Sequence, residues 1–220
     1  SLIIFGQGAV RCHPYVKEEM AAVAAKDVTR FDRAFFGHMG FVAANAARSL
    51  ALALTGGRAA RSGVPEPVAG YLGRFTRMSA AFALTADFAM ATLGGQLKRR
   101  EKLSGRLADA LAWLYIGSAT VKKFWDDGRP REDEPFFRWG CERALYEVET
   151  AIAGVLDNLP SRPAAWILHA FIFPVGSRSR PPADRLGAEV ARARLDDREE
   201  RLRLPPDIYV PSPTEPGLGR

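Results

Sequence analysis

Val68-Ala69-Gly70-Tyr71-Leu72-Gly73-Arg74-Phe75 opens the stretch that decides the fold, and Lys122-Lys123-Phe124-Trp125-Asp126-Asp127 closes it. In its first half Val68, Leu72, Phe75, Ser79, Phe82, Ala86, Ala89 and Leu93 recur at three- and four-residue steps. In its second half Leu103, Leu107, Leu111, Leu114, Ser118, Val121 and Trp125 do the same. Such steps put each set on one face of a helix, and two such faces can bury against each other. Between them lies Gly94-Gly95-Gln96-Leu97-Lys98-Arg99-Arg100-Glu101-Lys102. Paired glycines break a helix, and clustered like charge keeps a turn in solvent. The small residues Ala80, Ala81, Ala83, Gly117, Ser118 and Ala119 let neighbouring backbones approach. The expectation is an all-α, multi-helix bundle built around a long antiparallel helical hairpin, about 68–97 and 103–127. By its pattern alone the hairpin is structural, since an amphipathic stripe is the mark of a core-facing helix.

Working outward, Pro14 suits the first turn of a helix that Tyr15 to Asp27 continues, with Val16, Met20 and Val23 on one side. A second helix is expected from Val28 to Leu54, its apolar stripe being Phe31, Phe35, Met39, Val42, Ala46, Leu50 and Ala53. Gly56-Gly57 stops it. Arg58 to Pro67 is the best internal boundary, yet too short to separate two domains. Past the hairpin, Asp126-Asp127-Gly128-Arg129-Pro130 is turn chemistry. Glu132, Asp133 and Glu134 then suit the first turn of a helix, where acids complement the dipole, and lack the spacing of a metal loop. That helix runs from about Phe136 to Leu159, with Phe137, Gly140, Ala144, Leu145, Val148, Ile152, Val155 and Leu159 inward. Ala183 to Arg203 is a charged, solvated helix, and Pro205 to Arg220 an extended Pro/Gly-rich tail.

The hydrophobic fraction of 47% and charged fraction of 25% are those of a soluble globular protein, and 220 residues suffice for one domain with a core or one domain with a tail. The net charge of +6 suits a phosphate-bearing partner such as coenzyme A, a nucleic acid or an anionic membrane, and selects none of them. Two cysteines far apart, Cys12 and Cys141, make a disulfide framework or zinc site unexpected. Cys141 reads as a small buried hydrophobe. No apolar run reaches the roughly 18–20 residues that span a bilayer. Nucleic-acid binding through Lys98-Arg99-Arg100 would rest on charge alone, with no interleaved aromatics, and is set aside.

Asp87 and Asp109 fall inside apolar patterns, and buried carboxylates need partners. Arg77, Arg106, Lys122 or a backbone donor are the expected ones. His13 and His38 have no carboxylate or Cys at ligand spacing and receive no chemistry, and His169 reads as a core or interface histidine. Ala164 to Phe173 is apolar almost all round and is followed by Arg178, Arg180 and Arg185. It reads first as a buried helix and second as an interfacial segment with arginines at lipid head groups. Gly6-Gln7-Gly8 lacks the third glycine or Lys-Ser/Thr of a phosphate loop.

The run Leu93-Gly94-Gly95-Gln96-Leu97-Lys98-Arg99-Arg100-Glu101-Lys102-Leu103-Ser104-Gly105-Arg106-Leu107-Ala108-Asp109 resembles the C-terminal domain of the bacterial-type long-chain acyl-CoA dehydrogenases of fatty-acid β-oxidation. Four more stretches agree in order: Ile4-Phe5-Gly6-Gln7-Gly8-Ala9-Val10-Arg11-Cys12-His13-Pro14-Tyr15-Val16, Asp126-Asp127-Gly128-Arg129-Pro130, Ile172-Phe173-Pro174, and Pro181-Pro182-Ala183-Asp184-Arg185-Leu186. The resemblance implies a parent enzyme that uses FAD to oxidise acyl-CoA to trans-2-enoyl-CoA. In that reaction a glutamate removes a proton beside the thioester while hydride passes to the flavin. It implies that residues 1–13 end the catalytic domain, 14–204 form the helical C-terminal domain and 205–220 the tail. Because the chain starts at Ser1, the family's catalytic Glu-Gly motif is expected upstream, and no catalytic residue and no metal ligand is carried over. Gly6, Gly8, Arg11 and His13 match the segment nearest the active site and are the candidates for supporting FAD. The implied partners are long-chain acyl-CoA, an electron-transfer acceptor, a second copy in a homodimer and the bacterial inner-membrane surface, with a cytoplasmic location.

Overall fold

The protein's structure, a computed structural model, describes residues 13–60 and 63–196. Seven α-helices follow one another among them: α1 Val16–Ala25, α2 Val28–Thr55, α3 Val68–Leu93, α4 Glu101–Asp126, α5 Glu134–Asp157, α6 Arg162–Ile172 and α7 Asp184–Asp196. Two 3-10 turns, Gly94–Arg99 and Arg131–Asp133, connect α3 to α4 and lead into α5. The described residues contain no strand, as an all-α bundle requires. The expected tail, and the last part of the expected charged helix, lie outside the described residues.

Local signals set the boundaries. Asp27 accepts a hydrogen bond from the Arg30 amide and caps α2, satisfying one of the amides a helix start leaves open. At the other end Gly56 turns left-handed at φ +63°, and the Gly57 amide closes back on the Leu52 carbonyl at 2.8 Å. α3 stops at Leu93, where Gly94 has φ +49°, so Gln96 and Leu97 belong to the turn and not, as expected, to the helix.

α3 is the central helix. It packs against α2, α4 and α5, and its burial runs all round, with Tyr71, Phe75, Met78 and Ala89 on one side and Gly73, Ala80 and Asp87 on the opposite side. The hairpin α3–α4 is present, but α4 packs more extensively on α5 than on α3. The stripe that α4 buries also differs from the expected one. Leu103, Leu107, Ala110, Leu114, Gly117, Val121 and Phe124 face inward, whereas Leu111, Ser118 and Trp125 face out. The reason is close packing at Ala110 and Gly117. A Cβ on Gly117 would overlap the Phe75 ring and lie 3.1 Å from Ala144 Cβ, so the ring fills a notch only glycine provides. Gly57 and Gly73 make a second close approach, backbone against backbone, with Gly57 at φ +88°.

Phe124 of α4 stacks on Phe137 of α5 at 4.2 Å between ring centroids, and Tyr71 of α3 meets the same Phe137 edge-on at 5.1 Å. Three helices thus share one aromatic joint. On α2 the expected stripe fails in its first half. Phe35 and Met39 of that stripe are exposed, as is Phe36, and burial falls on Ala34, Ser49, Leu52 and Ala53, because α1 packs on the other side of α2, where Tyr15 meets His38 and Phe41. The Ala164–Phe173 segment is also divided rather than buried. Ala165, Leu168, Ile172 and Phe173 enter the core, while Trp166 (66% exposed) and Ile167 (61%) face out. No helix among the described residues is long and apolar enough to cross a membrane.

Candidate functional site

The densest grouping of unlike polar side chains among the described residues forms where α1, α2 and α3 meet. His13 precedes α1, and its Nδ1 accepts the backbone amides of Tyr15 at 3.2 Å and Val16 at 3.1 Å. It thereby does for α1 what a capping oxygen does elsewhere. A ring nitrogen that accepts two amide hydrogens carries no proton, so the proton sits on Nε2. Nε2 lies 3.1 Å from Asp87 Oδ1 on α3 and donates to it. His38, on α2, donates from Nδ1 to Glu19 Oε1 of α1 at 2.8 Å. One ring nitrogen from each histidine and one Asp87 oxygen lie within 4.8 Å of one another.

The surroundings are aromatic and largely dry. His13 and Asp87 are 7% and 5% exposed in their side chains, and His38 and Glu19 16% and 18%. The two imidazoles approach to 4.7 Å, Tyr15 stacks on His38 at 5.8 Å with planes 7° apart, and Phe41 closes on His13 edge-on at 5.7 Å. Gly37 makes room for Tyr15, since a Cβ there would come within 2.6 Å of the phenol ring. Burial raises the Asp87 carboxyl above its usual range, opposed first by His13 and then by His38. Asn45 lies near enough to hold the carboxylate lower, but its Nδ2 and Asp87 Oδ2 do not close to a full hydrogen bond. Oδ2 is therefore a buried acceptor with capacity to spare.

Asp87 is buried as expected, but its partner is none of those expected. His13, 74 residues away in sequence, takes the role. Asp109, by contrast, is exposed on α4. The histidines that received no chemistry are the heart of the cluster, because spacing along the chain says nothing about partners brought together by three separate helices. The one legible signal was a carboxylate inside an apolar pattern. His169 is exposed on α6, its ring 5.4 Å from Phe173, and is not a core histidine. Gly6, Gly8 and Arg11 lie outside the described residues. Among the described residues no phosphate-cradling turn appears, and both ring nitrogens of His13 are engaged within the helical bundle.

A second buried polar group fastens the chain after α6. Glu149 on α5 accepts the Arg178 amide at 2.7 Å, the Ser179 amide at 3.3 Å and the Ser179 hydroxyl at 2.7 Å, with Arg77 Nη1 of α3 at 3.6 Å. The two charges respond differently. Burial pushes the Glu149 carboxyl up, but Ser177, Ser179, the Arg178 amide and Arg77 together hold it below its usual value. Arg77 is pulled below its own ordinary value by burial, and its Nε has no partner. Glu149 is the firmly held charge, having three hydrogen-bond donors, whereas Arg77 has only a 3.6 Å approach to Glu149 and the face of Phe173. Cys141 is fully buried and burial lifts its thiol to about 12, which suits a packing residue and not a nucleophile.

Neither group holds an arrangement of nucleophile, base and open substrate space. No solved structure matches the chain. Residues 10–220 match the family described as "Acyl-CoA dehydrogenase, C-terminal, bacterial type". With nearly its whole length covered by that match, and an all-α bundle beneath it, the chain belongs to the bacterial-type acyl-CoA dehydrogenase C-terminal domain family.

Proposed function

We propose that this chain is the helical C-terminal part of a FAD-dependent fatty acyl-CoA dehydrogenase, which forms trans-2-enoyl-CoA in fatty-acid β-oxidation. Its own task there is packing, dimerisation or docking rather than chemistry. The family match over residues 10–220 carries this reading. Two features support it. The buried polar groups are spent on cross-linking helices, and large apolar side chains remain on the outer faces, among them Phe36 (70% exposed) on α2 and Tyr115 (76%) on α4. Flavin supplies the redox step in such enzymes. The proton-abstracting glutamate, the main flavin contacts, long-chain acyl-CoA and the electron-transfer acceptor all belong, in this proposal, to the parent's dehydrogenase domain, of which residues 1–13 are only the end, and the whole works as a homodimer.

The test is to titrate the purified chain with FAD and then with a long-chain acyl-CoA. Neither stoichiometric flavin binding nor acyl-CoA bleaching of flavin absorbance is expected. Bleaching would place the base within these residues and defeat the proposal.

One observation favours a docking role in particular. Trp166 and Ile167 stand outward on α6, next to Arg162 and near Arg178 and Arg180 in sequence. That pairing of aromatic and basic side chains suits an interfacial helix on an anionic bilayer, here the inner face of the bacterial inner membrane. Sedimentation with anionic vesicles should weaken in Trp166→Ser and Ile167→Ser. Equal sedimentation of wild type and both variants would rule out this face.

A further inference from the structure

We propose that His13, His38 and Asp87 form a binding site for a divalent first-row transition metal, with zinc the natural probe. The three come from the entry to α1, from α2 and from α3, and their candidate ligand atoms already lie within 4.8 Å of one another. Two imidazoles and one carboxylate are a donor set that such cations take, with a fourth position left for water. Tetrahedral zinc at about 2.0–2.1 Å from each ligand sets neighbouring ligand atoms roughly 3.3 Å apart. The His13 Nε2–Asp87 Oδ1 separation of 3.1 Å is close to that edge, so His38 has the furthest to move inward.

Three further features point to a cation. Asp87 Oδ2 is buried and closes no full hydrogen bond, with only the Asn45 side chain near it. His38 gives its Nδ1 proton to Glu19, which leaves the Nε2 lone pair available and reproduces the carboxylate–histidine–metal chain that orients such ligands. The aromatic walls of Tyr15 and Phe41 keep the site partly dry.

His13 must adjust. Its Nε2 carries a proton in the metal-free protein because Nδ1 accepts the Tyr15 and Val16 amides. On binding, that proton moves to Nδ1 and the two amides turn to water. Three hydrogen bonds, the Nε2–H to Asp87 and the two amides on Nδ1, are exchanged for metal bonds to His13 and Asp87, and the first turn of α1 loosens. Bound metal would pin the entry to the helical bundle to two of its long helices. The site is independent of any acyl-CoA chemistry upstream.

The experiment uses the 220-residue chain, stripped with a chelator and titrated with Zn²⁺ by calorimetry, with Co²⁺ absorbance as a second readout. One equivalent should bind with a dissociation constant of micromolar or below, raise Tm and give the intense visible bands of tetrahedral Co²⁺. Asp87→Asn keeps an acceptor for the His13 Nε2–H, so it should fold, as far-UV circular dichroism can show. His38→Gln serves as a second folded variant. Each should lose more than about 100-fold in affinity, while Glu19→Gln, acting through His38, should lose about 10- to 100-fold. His169→Gln, on exposed α6, should bind as wild type. Failure to bind one equivalent, or binding that survives both His38→Gln and Asp87→Asn, overturns the proposal and leaves a metal-free latch between His13 and Asp87.

Discussion

Gly117→Ala is the sharpest test of how the bundle is packed. On an open helix face the change from Gly to Ala stabilises by about 0.8–1.0 kcal/mol, through backbone entropy and helix propensity. At position 117 the new methyl would occupy the space of the Phe75 ring, which is 5% exposed and cannot swing into solvent. Ala144 Cβ blocks retreat on the other side at 3.1 Å. Forcing a methyl into a packed core costs about 1–3 kcal/mol. The two effects oppose each other, and the net expectation is a loss of up to about 2 kcal/mol. Gly40→Ala is the matched control. It lies within α2, and a methyl added there would meet nothing within 4 Å, so it should gain the full propensity term. Urea unfolding followed by far-UV circular dichroism gives both numbers, and their difference, about 1–3 kcal/mol, isolates the overpacking. In thermal unfolding each kcal/mol corresponds to about 2–4 °C for a chain of this size. If Gly117→Ala proves as stabilising as Gly40→Ala, the ring does not fill that notch and α3, α4 and α5 do not meet as closely as their packing requires.

Four further outcomes can be measured. Glu149→Ala leaves Arg77 buried with its counter-charge removed and should cost about 3–5 kcal/mol in urea unfolding; a loss under about 1 kcal/mol would show the pair to be solvated. Because the folded protein holds the Glu149 carboxyl below its ordinary value of 4.5, its contribution is complete above that pH and disappears as pH falls through the folded value. An acid titration of Tm should therefore be flatter in Glu149→Gln than in wild type. Tyr71 shows the opposite sign: burial first, then Glu142, raises its phenol from 10.0 to about 12, so stability is intact below pH 10 and declines between pH 10 and 12; Tyr71→Phe should remove that decline, and an unchanged alkaline profile would count against it. Finally, nitrogen-15 spectra of the metal-free chain should show His13 as the Nε2–H tautomer, whereas an Nδ1–H signal would contradict the cap it makes on α1.

Much of the fold was legible in the sequence. The hairpin, the helix stops at Gly56 and Gly94 and the turn at Gly128 followed from periodicity and from glycine's freedom at positive φ. The buried stripe of α4 was misjudged at Leu111, Ser118 and Trp125 because hydrophobicity favours the larger side chain. Packing density favoured Ala110 and Gly117, where the backbone had to come close to Phe75 and Ala144. On α2, Phe35 and Met39 fit a helical stripe and yet remain outside, since the pattern shows which residues could be buried and not whether a neighbour arrives to bury them.

By itself, then, the sequence determined an all-α bundle, the glycine stop after α2 and its family, because those depend on local periodicity, local backbone preference and motif order. The tertiary structure alone decided that Asp87 pairs with His13, that His38 joins them, and that Glu149 fastens the segment after α6. Those partners lie 74 and 30 residues apart for Asp87 and Glu149. A buried charge must find a partner, but which partner is fixed by where three packed helices happen to place their side chains.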